Sequence, residues 1–312
     1  MEDDGAPLPL TVWLPVGDDG SPAPVRAVIV ALHGFDDRKA AFALPASVWR
    51  HRGIVTVAYD QRGFGANGNA GYWPGSRTLA QDLAGAVEAA RRRWPHVPVM
   101  ALGESMGGAV VLDDLAGATG AARARPDGVI LVAPAVWGRA TESVPERVAL
   151  WFASRVMPAA RFTGEGFGVQ ASDNIPMLRE LGRDPLFIKE TRIDMVYGLV
   201  DLMDEAVAAA PHFRTPALVL YGAHDELIPH DAMDRLVTVL PERDSGRQRL
   251  AWYAQGWHML LRDLDYQIVA TDVADWVFDR RAGLASGADL AAASAFGRPE
   301  GGLVTESGSP HG

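Results

Sequence analysis

The chain has 312 residues, with 29 Lys and Arg against 39 Asp and Glu, a formal net charge of -10. That balance disfavours nucleic acid or an anionic membrane as a bulk electrostatic partner. Cysteine is absent, which excludes disulfides and thiolate metal sites, and no run approaches the roughly 18 apolar residues of a membrane-spanning helix.

The first residues, Met1-Glu2-Asp3-Asp4-Gly5, are acidic and carry no apolar leader, which predicts a cytoplasmic chain. Residues 8–15 alternate and read as an opening strand near a sheet edge, given their prolines. Val25 to Leu32 is a near-continuous apolar run, the pattern of a strand buried on both faces. It ends in His33-Gly34-Phe35. Residues 40–52 fit a helix. Gly53 to Tyr59 is a second buried strand, ending in Asp60-Gln61-Arg62-Gly63-Phe64-Gly65, and residues 66–76 are a Gly/Asn-rich loop. Residues 77–94 read as an amphipathic helix stopped by Pro95. Val97 to Leu102 is a third strand, followed by a helix to about Ala118 and another strand over 128–133.

Strands alternating with helices predict an α/β fold, a mostly parallel sheet with helices on both faces. Residues 135–212 break that alternation. They hold Trp137, Trp151, Phe152, Met157, Phe162 and Phe167 among other large apolar residues. More apolar surface than a connector needs predicts an inserted cap of helices and loops. The alternation resumes with a strand at 216–221, a helix at 230–240, a strand at 249–253 and an amphipathic helix at 263–281. The α/β core is therefore expected over 1–134 and 213–282. Residues 283–312 are Gly-, Ala-, Ser- and Pro-rich and predict a mostly disordered tail, with at most a short Ala-rich helical turn near 287–296.

The chemistry centres on Gly103-Glu104-Ser105-Met106-Gly107, between an apolar strand and a helix-compatible run. A serine on a sharp strand-to-helix turn needs glycines two residues to either side, where backbone must come close. The turn would set the Ser105 hydroxyl above the sheet, over the Met106 N–H and a helix N-terminus. A serine hydroxyl needs a base, and the base an orienting carboxylate. On a parallel sheet their chain order is Ser, acid, His. Asp225, after the 216–221 strand, is the candidate acid, ahead of its neighbour Glu226. His258, after the last strand, is the candidate base. His224 and His230 read as loop or helix-start residues. His33 reads as a shaper of the oxyanion loop, and His51, His96, His212 and His311 as surface residues. Asp201 and Asp204 read as solvated. The second oxyanion donor is expected from the Phe35 N–H. Phe35, Trp137 and Ile228 are the candidate substrate-contacting residues.

Taken together, Leu32-His33-Gly34-Phe35, Asp60-Gln61-Arg62-Gly63-Phe64-Gly65, Gly103-Glu104-Ser105-Met106-Gly107-Gly108, Gly222-Ala223-His224-Asp225-Glu226 and Gly256-Trp257-His258 make the chain resemble the α/β-hydrolase superfamily. It is most similar there to the monoacylglycerol lipase and lysophospholipase group, over residues 8 to 281. Phe35 departs from that group, where a small residue usually follows His-Gly. The resemblance implies a carboxylic ester substrate, an acyl-enzyme on Ser105, and no metal or organic cofactor. It implies a small-molecule ester or lipid as partner, with at most transient contact between the cap and a lipid surface and no stable insertion. It leaves oligomeric state, ester and acyl length open. A small-ester carboxylesterase, an acyltransferase or amidase, and a non-catalytic ligand receptor on the same fold remain alternatives.

Overall fold

Runs such as Ala27-Val28-Ile29-Val30-Ala31-Leu32 present apolar side chains to both faces, so they must be covered on both. They form the middle of a seven-stranded sheet in a computed structural model that describes residues 6–116, 124–139, 153–163 and 168–297. In chain order the core comprises β1 (Leu10–Trp13), β2 (Ala27–Leu32), α1 (Ala43–Trp49), β3 (Ile54–Tyr59), α2 (Ser76–Arg93), β4 (Val99–Glu104), α3 (Met106–Ala116) and β5 (Gly128–Val132). An inserted segment follows, with β6 (Arg161–Thr163), α4 (Ile175–Arg183), β7 (Glu190–Arg192) and α5 (Ile193–Ala209). The chain then runs through β8 (Ala217–Gly222), α6 (His230–Val239), β9 (Gln248–Tyr253), α7 (Tyr266–Phe278) and α8 (Ala288–Ala295). The sheet order is β1-β3-β2-β4-β5-β8-β9. β1 is antiparallel to β3, and the other neighbours are parallel.

Alternate residues of each strand feed two separate apolar layers. Val28, Val30 and Leu32 pack with α2, α3, α5 and α6, whereas Ala27, Ile29 and Ala31 pack with α1 and α7. Trp49 of α1 is fully buried there, and its indole N–H donates to the Ala270 carbonyl of α7 at 2.8 Å. Parallel strands bring their carboxyl ends to one edge, where open sheets of this kind carry their sites. His33, Asp60, Ser105, Ala133, Ala223 and the loop to His258 all follow such ends.

Three features depart from the sequence-based expectations. First, the inserted segment contains a short antiparallel ribbon, β6 with β7. Three-residue strands are too short to show an alternation. Second, α5 lies inside the expected cap, yet Met195, Leu202 and Ala206 are buried in the same layer as α3. Third, α8 falls in the 287–296 stretch read as a short Ala-rich helical turn, and the residues around it are packed rather than a loose tail. Leu284, Ala288 and Ala292 are buried, and the Phe296 ring stacks on His230 at 4.9 Å with a 3° interplanar angle. The small alanines allow α8 to lie close against β9, a contact that composition alone does not reveal. Residues 298–312, with His311, lie outside the described residues, as do Trp151, Phe152 and Phe167.

Candidate active site

The Ser105 turn is built by exclusion of side chains. A Cβ on Gly103 would sit 2.3 Å from the Gly107 carbonyl oxygen, and one on Gly107 would sit 2.3 Å from that of Leu32. Only glycine fits at either place. Between them Ser105 has φ 53°, in the left-handed region, which costs a residue with a side chain about 1–2 kcal/mol. Four hydrogen bonds hold it there. The Ser105 N–H donates to the Val132 carbonyl at 2.9 Å, and the Ser105 carbonyl accepts from Gly108, Ala109 and Ala135 at 2.9, 3.2 and 2.9 Å. Met106 opens α3, so its N–H lies among those without a carbonyl one turn earlier. Its side chain is fully buried.

The loop after β2 runs beside the serine. A Cβ on Gly34 would lie 3.3 Å from the Ser105 Cβ. His33 shapes this loop. Its Nε2 accepts from the Gln61 N–H at 3.0 Å, so its Nδ1 carries the proton and donates to the Gly34 carbonyl at 2.7 Å. Full burial pushes this imidazole's pKa down and keeps it neutral, against the pull of Asp37. Phe35 is half-buried and meets Phe64 edge-on at 5.5 Å and Trp73 at 6.5 Å. Trp73 in turn presses on α5, where a Cβ on Gly198 would lie 2.4 Å from its ring. Asp36 has φ 62°. It is tied to the inserted segment: Thr191 Oγ1 donates to its Oδ2 at 2.5 Å, and the Ile188 N–H donates to its carbonyl at 2.9 Å. Burial pushes the Asp36 carboxyl up to about 7, against the Thr191 hydrogen bond.

Asp225 follows β8 on a tight turn. Its Oδ1 accepts from the Leu227 and Ile228 N–H groups, each at 2.9 Å, and its Oδ2 accepts from His258 Nδ1 at 2.9 Å. The two loops approach closely because Gly222 and Gly256 face each other, a Cβ on Gly222 falling 2.4 Å from the Gly256 carbonyl oxygen. Burial is the largest influence on His258 and opposes its charged form. The Asp225 and Glu104 carboxylates outweigh it, so the pKa is raised. The neighbouring candidates are engaged elsewhere. Glu226 accepts from the Gln170 N–H at 2.6 Å, His224 stacks on Trp257 at 5.1 Å, and Asp201 and Asp204 both pair with Arg139.

Of the candidate substrate contacts, Trp137 is 40% exposed on the loop after β5. Ile228 is buried in the core, with its carbonyl accepting from the Tyr221 hydroxyl at 2.5 Å. Sequence reasoning overlooks Asp36, Asp37, Trp73, Glu104 and Arg262. Only Glu104, inside the nucleophile motif, carried a positional signal. Among the described residues, no group of three or more His, Asp or Glu side chains is arranged to hold a metal ion.

The family described as serine aminopeptidase, S33 matches residues 23–265. A monoacylglycerol lipase of Mycolicibacterium smegmatis is 27% identical over 292 residues, covering 88% of this chain and 93% of that one. A monoglyceride lipase of Rattus norvegicus is 25% identical over 286 residues, covering 89% and 88%. Among solved structures, a soluble variant of monoglyceride lipase from Saccharomyces cerevisiae superposes with a TM-score of 0.71 at 20% identity, covering 90% of this chain and 94% of that one. The monoacylglycerol lipase of Paleococcus ferrophilus gives 0.69 at 16% identity, covering 88% and 100%. These two likenesses concern the fold. The chain belongs to the serine aminopeptidase, S33 family and is a monoacylglycerol lipase-like α/β-hydrolase.

Proposed function

We propose that this chain cleaves carboxylic esters through an acyl-enzyme on Ser105, with His258 as base and Asp225 as its orienting acid. The observation that carries this reading is the 2.9 Å bond from His258 Nδ1 to Asp225 Oδ2. It joins the loops after β8 and β9, at the sheet edge that also bears the positive-φ serine. With Nδ1 committed to Asp225, Nε2 is the ring nitrogen left to take the serine proton. Ser105 Oγ attacks the ester carbonyl, and the Phe35 and Met106 N–H groups receive the developing oxyanion. Nε2 passes its proton to the leaving alcohol, and water then repeats the sequence on the acyl-enzyme.

The substrate reading is a medium-to-long acyl ester of the monoacylglycerol or lysophospholipid type. The relatives named as monoacylglycerol and monoglyceride lipases support it. Residues 135–212 act as a cap over the site, with α5 as the part seated in the core. Phe35 and Trp137 have exposed surface to offer an acyl chain, whereas Ile228 acts through its backbone on Asp225. Exposed Val156, Met157 and Val169 favour transient contact of the cap with a lipid surface. Among the described residues, no helix is long and apolar enough to cross a membrane.

The test is a p-nitrophenyl ester series from acetate to palmitate, with a p-nitroanilide arm for amides, on wild type and Ser105→Ala. The expected result is a kcat/KM that rises with acyl length and a kcat that falls about 10⁶-fold in the variant. A preference for acetate overturns the acyl-chain reading, and activity retained by Ser105→Ala overturns the nucleophile. Anilide cleavage without ester cleavage moves the reading to an amidase.

A further inference from the structure

Three loops of the site converge on one buried cation. Arg262 lies four residues beyond His258, and its side chain is 6% exposed. Its Nη1 pairs with Asp37 Oδ2 at 2.7 Å, in the loop that carries Phe35. Its Nη2 donates to Glu104 Oε1 at 3.1 Å, on the residue before Ser105. Its carbonyl accepts from Asn174 Nδ2 at 2.9 Å, in the inserted segment. The adjacent Asp263 holds the other side of the same loop. Its Oδ2 accepts from the Trp257 N–H at 2.7 Å and its Oδ1 from the Ser172 hydroxyl at 2.6 Å.

Burying a guanidinium between two carboxylates is an expensive way to join loops, because apolar side chains of similar volume usually do so at least as well. The charge therefore calls for its own explanation. One cation faces two carboxylates, so the cluster keeps one net negative charge. Among the described residues, Glu104 Oε2 has no hydrogen-bond partner. The charges acting on the His258 ring are Asp225 from the loop after β8, Glu104 from the end of β4 and Arg262 from its own loop, and Arg262 is paired in turn with Asp37.

We propose that Arg262 is a positioning residue that locks the nucleophile turn, the oxyanion loop and the histidine loop to one another, and that the surplus negative charge of its cluster with Asp37 and Glu104 steadies the imidazolium formed on His258 during turnover. The second half rests on the serine-hydrolase reading. The two planar N–H pairs of a guanidinium suit this task, since they aim at two carboxylates in fixed directions, which an ammonium does not. The signs of the influences on His258 agree: Glu104 favours its charged form and Arg262 opposes it.

The test uses the full-length protein and two readouts. One is the histidine Cε1–H NMR titration, with the His258 signal assigned by its loss in His258→Gln. The other is the acid limb of kcat/KM on a p-nitrophenyl ester. Glu104→Gln is expected to lower both midpoints by about one pH unit, and Arg262→Gln to raise them. Arg262→Lys retains the charge, so its midpoint stays near wild type while kcat/KM falls about 10- to 100-fold from lost alignment. If Arg262→Gln does not fold, Glu104→Gln and Arg262→Lys carry the test alone. A Glu104→Gln midpoint equal to wild type overturns the charge role, and an Arg262→Lys rate equal to wild type overturns the positioning role. A wild type that cleaves no ester while the NMR midpoints still move as stated removes the hydrolase reading and leaves the charge coupling standing.

Discussion

The two sides of the site are held by different balances of steric exclusion and polar contact. On the Ser105 side, Gly103 and Gly107 leave no room for a Cβ: one would fall 2.3 Å from a carbonyl oxygen. On the histidine side, position is held by charge and hydrogen bonds: Asp225 with its two N–H donors, Asp263 with Trp257 and Ser172, Arg262 with Asp37 and Glu104. Steric exclusion is insensitive to pH. Polar restraint joins residues far apart in the chain, and in a low-dielectric interior it also sets the proton affinity of what it holds. Around Ser105 the closest contacts are between backbone atoms, and around His258 they are mostly between titratable side chains.

The largest effect that would break this contrast is in Asp225→Asn. The amide keeps an acceptor for the Leu227 and Ile228 N–H groups but no longer favours the reactive tautomer of His258. The expected loss is about 10⁴-fold in kcat with the fold retained; a loss below tenfold would mean that the histidine is held by something else. Next comes Gly107→Ala. Its Cβ must displace the Leu32 carbonyl, so chemical denaturation is expected to show a loss of about 3 kcal/mol with no change in the pH profile of the remaining activity. A wild-type midpoint would show that the turn relaxes and is not sterically set.

Asp36→Asn sharpens the contrast by its smallest and most conditional effect. Asp36 is a polar strut on the steric side, and burial raises its pKa from 3.8 to about 7. Between those pH values the native state keeps a proton that the unfolded chain has lost. Native stability from this group therefore falls as pH rises across that window. Asparagine has no proton to lose, so the melting temperature of Asp36→Asn relative to wild type is expected to climb by a few degrees from pH 4 to pH 8. A difference that stays flat with pH would show that the carboxyl is solvated.

What can be read from the sequence follows the same division. The doubly covered sheet is legible because Val28–Leu32 and Val99–Leu102 are apolar on successive residues. The Gly-x-Ser-x-Gly turn is legible because its residues lie within five positions, although the backbone it presses against, Leu32 and Val132, lies elsewhere in the chain. Asp225 and His258 can be nominated because parallel strands bring their carboxyl ends to one edge. The Arg262 cluster is not legible. Glu104 and Arg262 are 158 residues apart, and nothing in the identity of either announces the other before the sheet brings them together. The β6–β7 ribbon is hidden because three residues carry no period. The helical turn of α8 is legible as an Ala-rich stretch, but its packing is hidden because Ala288 and Ala292 act by their smallness, which composition registers as an absence of core.

The position of α8 also determines how the sheet ends. Ala288 belongs to one apolar layer and Ala292 to the other, and β9 contributes alternate residues to both. The helix thus crosses from one face of the sheet to the other at its last strand, like a clasp over the end of a ribbon. A clasped edge offers no row of free N–H and C=O groups to another strand. At the opposite end, among the described residues, β1 pairs with β3 on one side only. The sheet is in this sense polar: a ribbon that a further strand can lengthen at its β1 edge, and that its own C-terminal helix has closed at the other.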